Sequence, residues 1–322
     1  MWKLEHKKII EELGFHSKMS CHSLLPLPRF MYYIVYGFLY LLSLLPLQVL
    51  YLLSDFAFFI LYYVTEYRKK VVLQNLTVAF PYKSEEEKKI LAKKFYHNFT
   101  DTFIETIKLI SADKNFVDRH FTFDKTVFDK IYAQGKKCQI HTGHNFNWEI
   151  ANLGVAGTIP FTFLGVYMPI ENKTFNRLFL KIRAKTGGVL LPATDMRNAI
   201  LPYRNSQYAL GLIADQSAGH LHKAFWVSFF GKPAPFVRGP ESGARLGNIP
   251  VVFGHFTKKK RGYYEGHFHL EEENPKALPA GELTKRYIVY LEKVISDHPE
   301  MWLWSHRRWK HEWKEEYGPV LK

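Results

Sequence analysis

The 322-residue sequence predicts an α/β protein: a mixed open sheet flanked by helices, preceded by an apolar helical membrane anchor. Two observations carry the prediction. Beyond residue 120, apolar runs of strand length alternate with segments of helical period, the pattern of an open sheet covered by helices on both faces. Ahead of this region, residues 30–67 are almost free of charge, interrupted only by Pro46, Asp55 and Glu66. A chain of this length buries a full core, and a hydrophobic share of 47% argues against disorder.

Composition narrows the partners. A formal net charge of +14 implies an anionic partner, whether nucleic acid, an acidic membrane surface, an acidic protein or a phosphorylated substrate. Aromatic residues make up 16% of the chain and concentrate where it is most apolar, which favours the membrane surface. Cys21 and Cys138 lie far apart and lack the spacing of a zinc site or a disulfide framework, so a reducing compartment fits. No P-loop, GxGxxG, internal repeat or low-complexity tract is present.

Residues 1–29 read as a polar extension closed by Pro26 and Pro28, with Met19 or Met31 as alternative starts. Residues 30–67 read as the anchoring segment and 68–322 as the α/β domain. Pro46 divides the anchor into halves of roughly sixteen to twenty residues, about 24 to 30 Å each as helix. A tilted span, a re-entrant hairpin and in-plane insertion all satisfy that length; a pair of buried core helices is the soluble alternative. Arg29 precedes the segment and Arg68, Lys69 and Lys70 follow it, so both ends can be cytoplasmic. The stretch is too long, begins too late and lacks an Ala-x-Ala site for a cleaved signal peptide.

Ser84-Glu85-Glu86-Glu87 is a capping box that opens a long helix to about residue 110, with Phe95, Phe99, Phe103 and Ile107 as its apolar stripe. Strands are expected at 139–142, 161–166, 189–192, 208–214, 225–230, 251–256 and 263–270, and helices at 147–156, 172–186, 194–204 and 239–247. Gly187-Gly188 reads as a helix-to-strand turn. The basic run 258–262 reads as a solvated hairpin tip, with anionic lipid or an acidic partner as the sharper alternative. The tail Trp302-Leu303-Trp304-Ser305-His306-Arg307-Arg308-Trp309-Lys310 interleaves aromatic and basic residues, a composition suited to nucleic-acid bases and phosphates or to lipid headgroups.

The chemistry centres on His141-Thr142-Gly143-His144-Asn145-Phe146-Asn147-Trp148-Glu149. On one continuous helix, a five-residue offset would separate His144 and Glu149 by about 140°. A strand over 137–142, a turn at Gly143 and a helix capped by Asn147 instead place His144 in the loop and Glu149 one turn into the helix, able to reach back. A neutral imidazole can take a proton from a hydroxyl, and a carboxylate can fix its tautomer and stabilise the cation. Such a pair also occurs by chance, and its position at a strand end supplies the missing weight, since polar residues there converge on a crevice. Asp215-Gln216, beyond the apolar run 209–214, forms a second such end; a loop-capping Asp is the ordinary alternative.

His144 to Glu149 fits an HX4D/E pattern, and other blocks follow in order: 68–81 (RKKVVLQNLTVAFP), 166–169 with Asn172 and Arg183, Asp215-Gln216, 229–234 (FFGKPA) and the tail around 304–310. Over about residues 30–311 this set resembles the bacterial lipid A biosynthesis acyltransferases, in the style of their Bacteroidetes branch, which share the motif with the glycerolipid acyltransferases. The resemblance implies a glycerolipid-acyltransferase-like fold. It also implies transfer of a fatty acyl chain from an acyl carrier protein (or CoA) thioester to a hydroxyl of a lipid A precursor, at the cytoplasmic face of the inner membrane. His144 is then the base and Glu149 its orienter. Arg183, Gln216 and the amides near Gly143 are candidate oxyanion donors. Arg183, Asp215, Gln216, Lys232 and Arg238 are the candidate substrate-binding residues. Anionic membrane lipid is the expected surface; neither a metal, a redox cofactor nor nucleic acid is expected. Met168, where many members carry Arg, and Glu241, where a small residue is expected, depart from the pattern. The alternatives are an acyltransferase with a lysophospholipid or amino-acid lipid as acceptor, or a membrane-tethered basic binding module without catalysis.

Overall fold

The computed structural model describes residues 29–322. The expected polar extension over 1–29, with Met19 as a start, lies outside the described residues apart from Arg29.

Two apolar helices come first, α1 (Arg29–Ser43) and α2 (Leu47–Phe59), the second continuing through a π-helical turn over Ile60–Val64. Pro46 makes the break, because it cannot donate to the preceding turn. Lys108 reaches into that break and donates to the carbonyls of Ser43 (2.9 Å) and Leu45 (3.0 Å), satisfying groups the end of α1 leaves open. The core-helix alternative does not hold for α2: of the apolar stretch Leu47–Val64 only 22% is buried. Leu52, Phe56 and Phe59 face outward, while Ser54 and Phe58 face the domain.

The helices α3 (Lys69–Ala79) and α4 (Glu85–Lys108) follow, and the expected capping box is formed: Ser84 Oγ accepts from Glu87 N and Glu87 Oε2 accepts from Ser84 N. The expected stripe on α4 is corrected in part, since Phe95 and Phe99 are buried but Phe103 is exposed. Steps of four residues advance by about 40° each, so the row drifts off the core and Ala92, Tyr96, Thr102 and Glu105 complete the buried face.

After α5 (Lys114–His120), β1 (Phe121–Phe123), α6 (Thr126–Ala133), β2 (Cys138–Thr142), α7 (Trp148–Ala156), β3 (Thr162–Tyr167), α8 (Lys173–Arg183), β4 (Val189–Pro192), the short α9 (Met196–Ala199) and β5 (Tyr208–Ile213), the chain leaves the main sheet. It returns through α10 (Gly239–Gly247) to β8 (Val251–Lys260) and β9 (Tyr263–Glu272), then closes with α11 (Glu282–Asp297). The seven-stranded order is β1-β9-β8-β2-β5-β3-β4, parallel throughout except for the β8/β9 hairpin. β2 is buried at every position.

Three expectations change. The run expected over 225–230 does not join the main sheet: β6 (Ala224–Phe229) pairs with β7 (Lys232–Val237) and with β10 (Val320–Leu321) in a second, three-stranded sheet. β7 is an edge strand, and so it tolerates Pro233 and Pro235. The basic tip at 258–262 is docked through Lys258 and Arg261, while Lys259 and Lys260 stay exposed as expected. Arg261 binds Asp101 through Nε and Nη2 (2.6–3.1 Å) and Asp55 of α2 through Nη1 and Nη2 (3.2 and 2.5 Å), and Lys258 reaches Asn98. The aromatic tail is core rather than a ligand surface: Trp302, Trp304 and Arg308 are each at most 1% exposed.

Glu241, the acidic departure, also finds its reason. Its carboxylate accepts from Gly281 N (2.6 Å), Thr284 N (2.9 Å) and Thr284 Oγ1 (2.7 Å), capping α11, whose own cap position is a glycine without a side chain.

Candidate active site

Strand register brings the site together. β2 and β5 are parallel neighbours with Thr142 opposite Ile213, so His144 and Asp215, each two residues further on, leave the sheet side by side. Gly143 is needed in between: a Cβ there would stand 2.8 Å from Leu291 Cδ1 and 3.3 Å from Asp215 Oδ2.

Asp215 is the carboxylate that meets His144. Its Oδ1 lies 2.5 Å from His144 Nδ1, and its Oδ2 accepts from the His144 backbone N–H (2.8 Å) and from Trp302 Nε1 (2.6 Å). Burial works to raise the Asp215 carboxyl. The neighbouring His144, its two hydrogen bonds and the indole N–H outweigh burial and hold the carboxyl below the usual carboxylate range. With Nδ1 committed to Asp215, Nε2 faces outward, where the Gln216 amide nitrogen lies 3.1 Å away.

The expected reach of Glu149 back to His144 is therefore corrected. Among the described residues, Glu149 is hydrogen-bonded to Arg183, Nε to Oε2 at 2.8 Å and Nη2 to Oε1 at 2.5 Å, and to Trp148 Nε1 at 3.0 Å. The bidentate guanidinium fits both carboxylate oxygens and turns them toward Arg183, and no bond runs from them to the imidazole. Asn147 does cap α7 as expected, accepting from Glu149 N (3.0 Å) and Ile150 N (3.4 Å). The Trp148 ring stands edge-on to the His144 ring at 5.4 Å.

His141 belongs to the core. It is 2% exposed, and burial pushes its imidazole down to about 3, so it stays neutral. Its Nε2 lies 2.9 Å from the Gln139 amide. The amide orientation that satisfies both ends donates to His141 and Pro240 O and accepts from Ala244 N, tying β2 to α10.

His144, Trp148, Glu149, Arg183 and Gln216 line one groove of about 1510 Å³ that runs over the sheet between α9 and α10. Its walls are mostly apolar, with Val166, Leu190, Ile200, Leu210, Leu212 and Ile249 among them, and Lys136, Lys137, Arg197, Arg204 and Glu273 line it as well. Met168, 66% exposed, lies on its rim. Lys232 and Arg238 are not gathered there. Lys232 begins β7, at the end away from the groove-lining Val237, and Arg238 donates to Ala224 O (3.0 Å) and lies over the Phe225 ring.

The sequence hid three contributors. Trp302 holds Asp215, and its segment clamps the motif loop, with Phe146 N donating to Met301 O (2.8 Å). Arg308 is wholly buried, donates to Ser217 Oγ (3.2 Å) and Pro235 O (3.0 Å), and covers Phe236 at 3.8 Å. Burial drives its guanidinium down to about 9 against the opposing pull of Asp215. Glu105 is the third, bonded to Asn147 Nδ2 at 2.8 Å. No sequence spacing ties any of the three to His144; an alternating aromatic and basic tail was the one visible signal.

Over residues 18–311 the sequence matches the family model described as bacterial lipid A biosynthesis acyltransferase. No curated protein matches the chain.

Proposed function

Because the chain belongs to the bacterial lipid A biosynthesis acyltransferases, an acyltransferase family whose substrates are lipids, we propose that it moves a fatty acyl chain from an acyl carrier protein thioester to a hydroxyl of a lipid A precursor. The observation that carries the chemistry is the line from Asp215 through His144 to an open Nε2 at the head of an apolar groove.

Asp215 keeps the Nδ1 proton in place, so Nε2 offers its lone pair to the acceptor hydroxyl. The hydroxyl oxygen attacks the thioester carbonyl as its proton passes to Nε2; the C–S bond breaks, and the imidazolium returns the proton to the leaving thiolate. The Asp215 charge stabilises that imidazolium. Gln216 holds the place of the incoming hydroxyl, and its N–H is then within reach of the developing oxyanion. Glu149 acts through Arg183, presenting the guanidinium to the groove beside Trp148, where an anionic acceptor group or the oxyanion is held. The acyl chain lies along the apolar walls. Lys232 and Arg238 serve outside the groove, as contacts for the carrier protein or lipid headgroups. In a strain lacking the gene, lipid A loses one acyl chain in its mass spectrum; an unchanged acyl count overturns the reading.

Residues 30–67 anchor the acyltransferase domain, 68–322, to the cytoplasmic face of the inner membrane. In-plane insertion fits best. α2 lies along the domain with Ser54 bonded to Asp101 and Asp55 bonded to Arg261, so its middle cannot also sit at the centre of a bilayer. Its outward flank, Leu52 and Phe56, reaches into one leaflet, and Arg177 and Lys181, stacked on Tyr32 and Tyr36 of α1, meet anionic headgroups. The double variant Leu52→Asp, Phe56→Asp is expected to lower sedimentation with anionic vesicles more than tenfold, since each buried side chain contributes about 1.5–3 kcal/mol. Binding as tight as the parent chain's excludes this face.

A further inference from the structure

Glu105, on the buried face of α4, is a carboxylate with no cation among its hydrogen-bond partners in the described residues, and three neutral donors converge on it. Tyr51 Oη of α2 donates to Oε1 (2.8 Å), while Tyr264 Oη of β9 (2.7 Å) and Asn147 Nδ2 of the motif loop (2.8 Å) donate to Oε2. These donors lie 54, 159 and 42 residues away in sequence. Burial raises the Glu105 carboxyl above its usual range, partly offset by the bonds from Asn147 and Tyr264. Packing alone does not call for a carboxylate here, because an apolar residue would fill the space without that penalty.

Asn147 explains its use. The same amide that donates to Glu105 turns its oxygen to the amides of Glu149 and Ile150 and so begins α7. Both ends of the Asn147 side chain are thereby fixed, and with them Trp148, edge-on to His144, and Glu149, bonded to Arg183. At its other oxygen Glu105 meets the apolar helix pair: Tyr51 lies on α2, four residues before Asp55 in its pair with Arg261 and three before Ser54 in its bond to Asp101.

We propose that Glu105 is a positioning residue that couples the seating of α2 on the domain to the geometry of the His144 loop, so that engagement of a lipid surface by α1 and α2 sets the catalytic loop. This rests on the membrane reading given above. With the outer flank of α2 in hydrocarbon, water is excluded from around its inner polar contacts, and the Tyr51–Glu105 bond strengthens in the lower dielectric. Because coupling between two sites is reciprocal, an ordered loop also favours the seated helix.

The test compares Tyr51→Phe, Glu105→Gln and the double variant with the parent chain on anionic vesicles, using acyl carrier protein thioester as donor. An amide at 105 offers one acceptor oxygen where two are used, so either Tyr51 loses its partner or Asn147 and Tyr264 together lose theirs. Glu105→Gln is expected to lower kcat by about tenfold or more, the size of one lost hydrogen bond to a charged group, with KM for the thioester unchanged. Tyr51→Phe gives a smaller loss in kcat, and the double variant is no worse than Glu105→Gln. Amide exchange at residues 145–150 quickens in both single variants. Additive losses, or unchanged exchange at 145–150 in Tyr51→Phe, overturn the coupling. Exchange needs no turnover, so it decides the proposal even where acyl transfer to lipid fails for the parent chain, an outcome that counts against the activity alone. Tyr51→Phe, which removes a single hydroxyl, serves where Glu105→Gln does not fold.

Discussion

Alanine at position 144 removes acyl transfer, by roughly 10² to 10⁴ for the general-base step, while folding and membrane attachment persist. The loss is confined because the imidazole side chain is 17% exposed, at the head of the groove rather than in the core. Asp215 keeps its bond from Trp302 and from the backbone N–H at 144, so the loop retains its anchor. Turnover of acyl carrier protein thioester by membranes carrying the variant checks this. Parental turnover would take His144 out of the mechanism.

Asparagine at position 215 is expected to be nearly as damaging. Asp215 uses one oxygen for two N–H donors and the other for Nδ1. An asparagine that keeps its oxygen on the two donors turns an NH2 toward Nδ1, which drives the ring proton to Nε2 and removes the base; in the Ser-His-Asp triad the same exchange costs about 10⁴. Stability follows the depressed carboxyl. A folded-state value below the ordinary 3.8 contributes stability that is complete above about pH 4 and fades only as pH falls further, so the gap in Tm between parent and variant is flat from pH 5 to 8. Glu149→Gln, acting through Arg183, leaves kcat nearly in place and raises KM instead. If Glu149→Gln abolishes kcat and Asp215→Asn does not, the roles of the two carboxylates exchange.

Local signals were legible in the sequence and non-local ones were not. The Ser84 capping box, the Asn147 cap, the fully buried β2 and the apolar stretch over 30–67 all declare themselves through a few neighbouring residues, and all appear in the fold. His144 was legible because a histidine past a buried strand is poorly explained by packing. Its partner was not. Glu149 lies nearer in sequence, but the β2–β5 register delivers Asp215 from 71 residues away, and nothing in the composition of either strand announces that they pair. The tail misleads for a related reason. Tryptophan and arginine alternate there as they would on a ligand surface, yet Trp304 is buried against Phe80 and Trp302, and Arg308 over Phe229 and Phe236 of the second sheet. Arg261 read as a solvent-facing charge until Asp55 and Asp101 supplied its counter-ions from elsewhere in the chain.

Trp302 gives the molecule an order of assembly. Chains emerge amino end first and fold as they are made, so α1 and α2 are complete while most of the sheet is still unmade. His144 and Asp215 come next, but the indole that holds Asp215 and the Met301 carbonyl that clamps the loop are made only after every strand of the main sheet. A chain whose synthesis has passed Asp215 but not Trp302 would therefore hold the His144–Asp215 pair without its clamp.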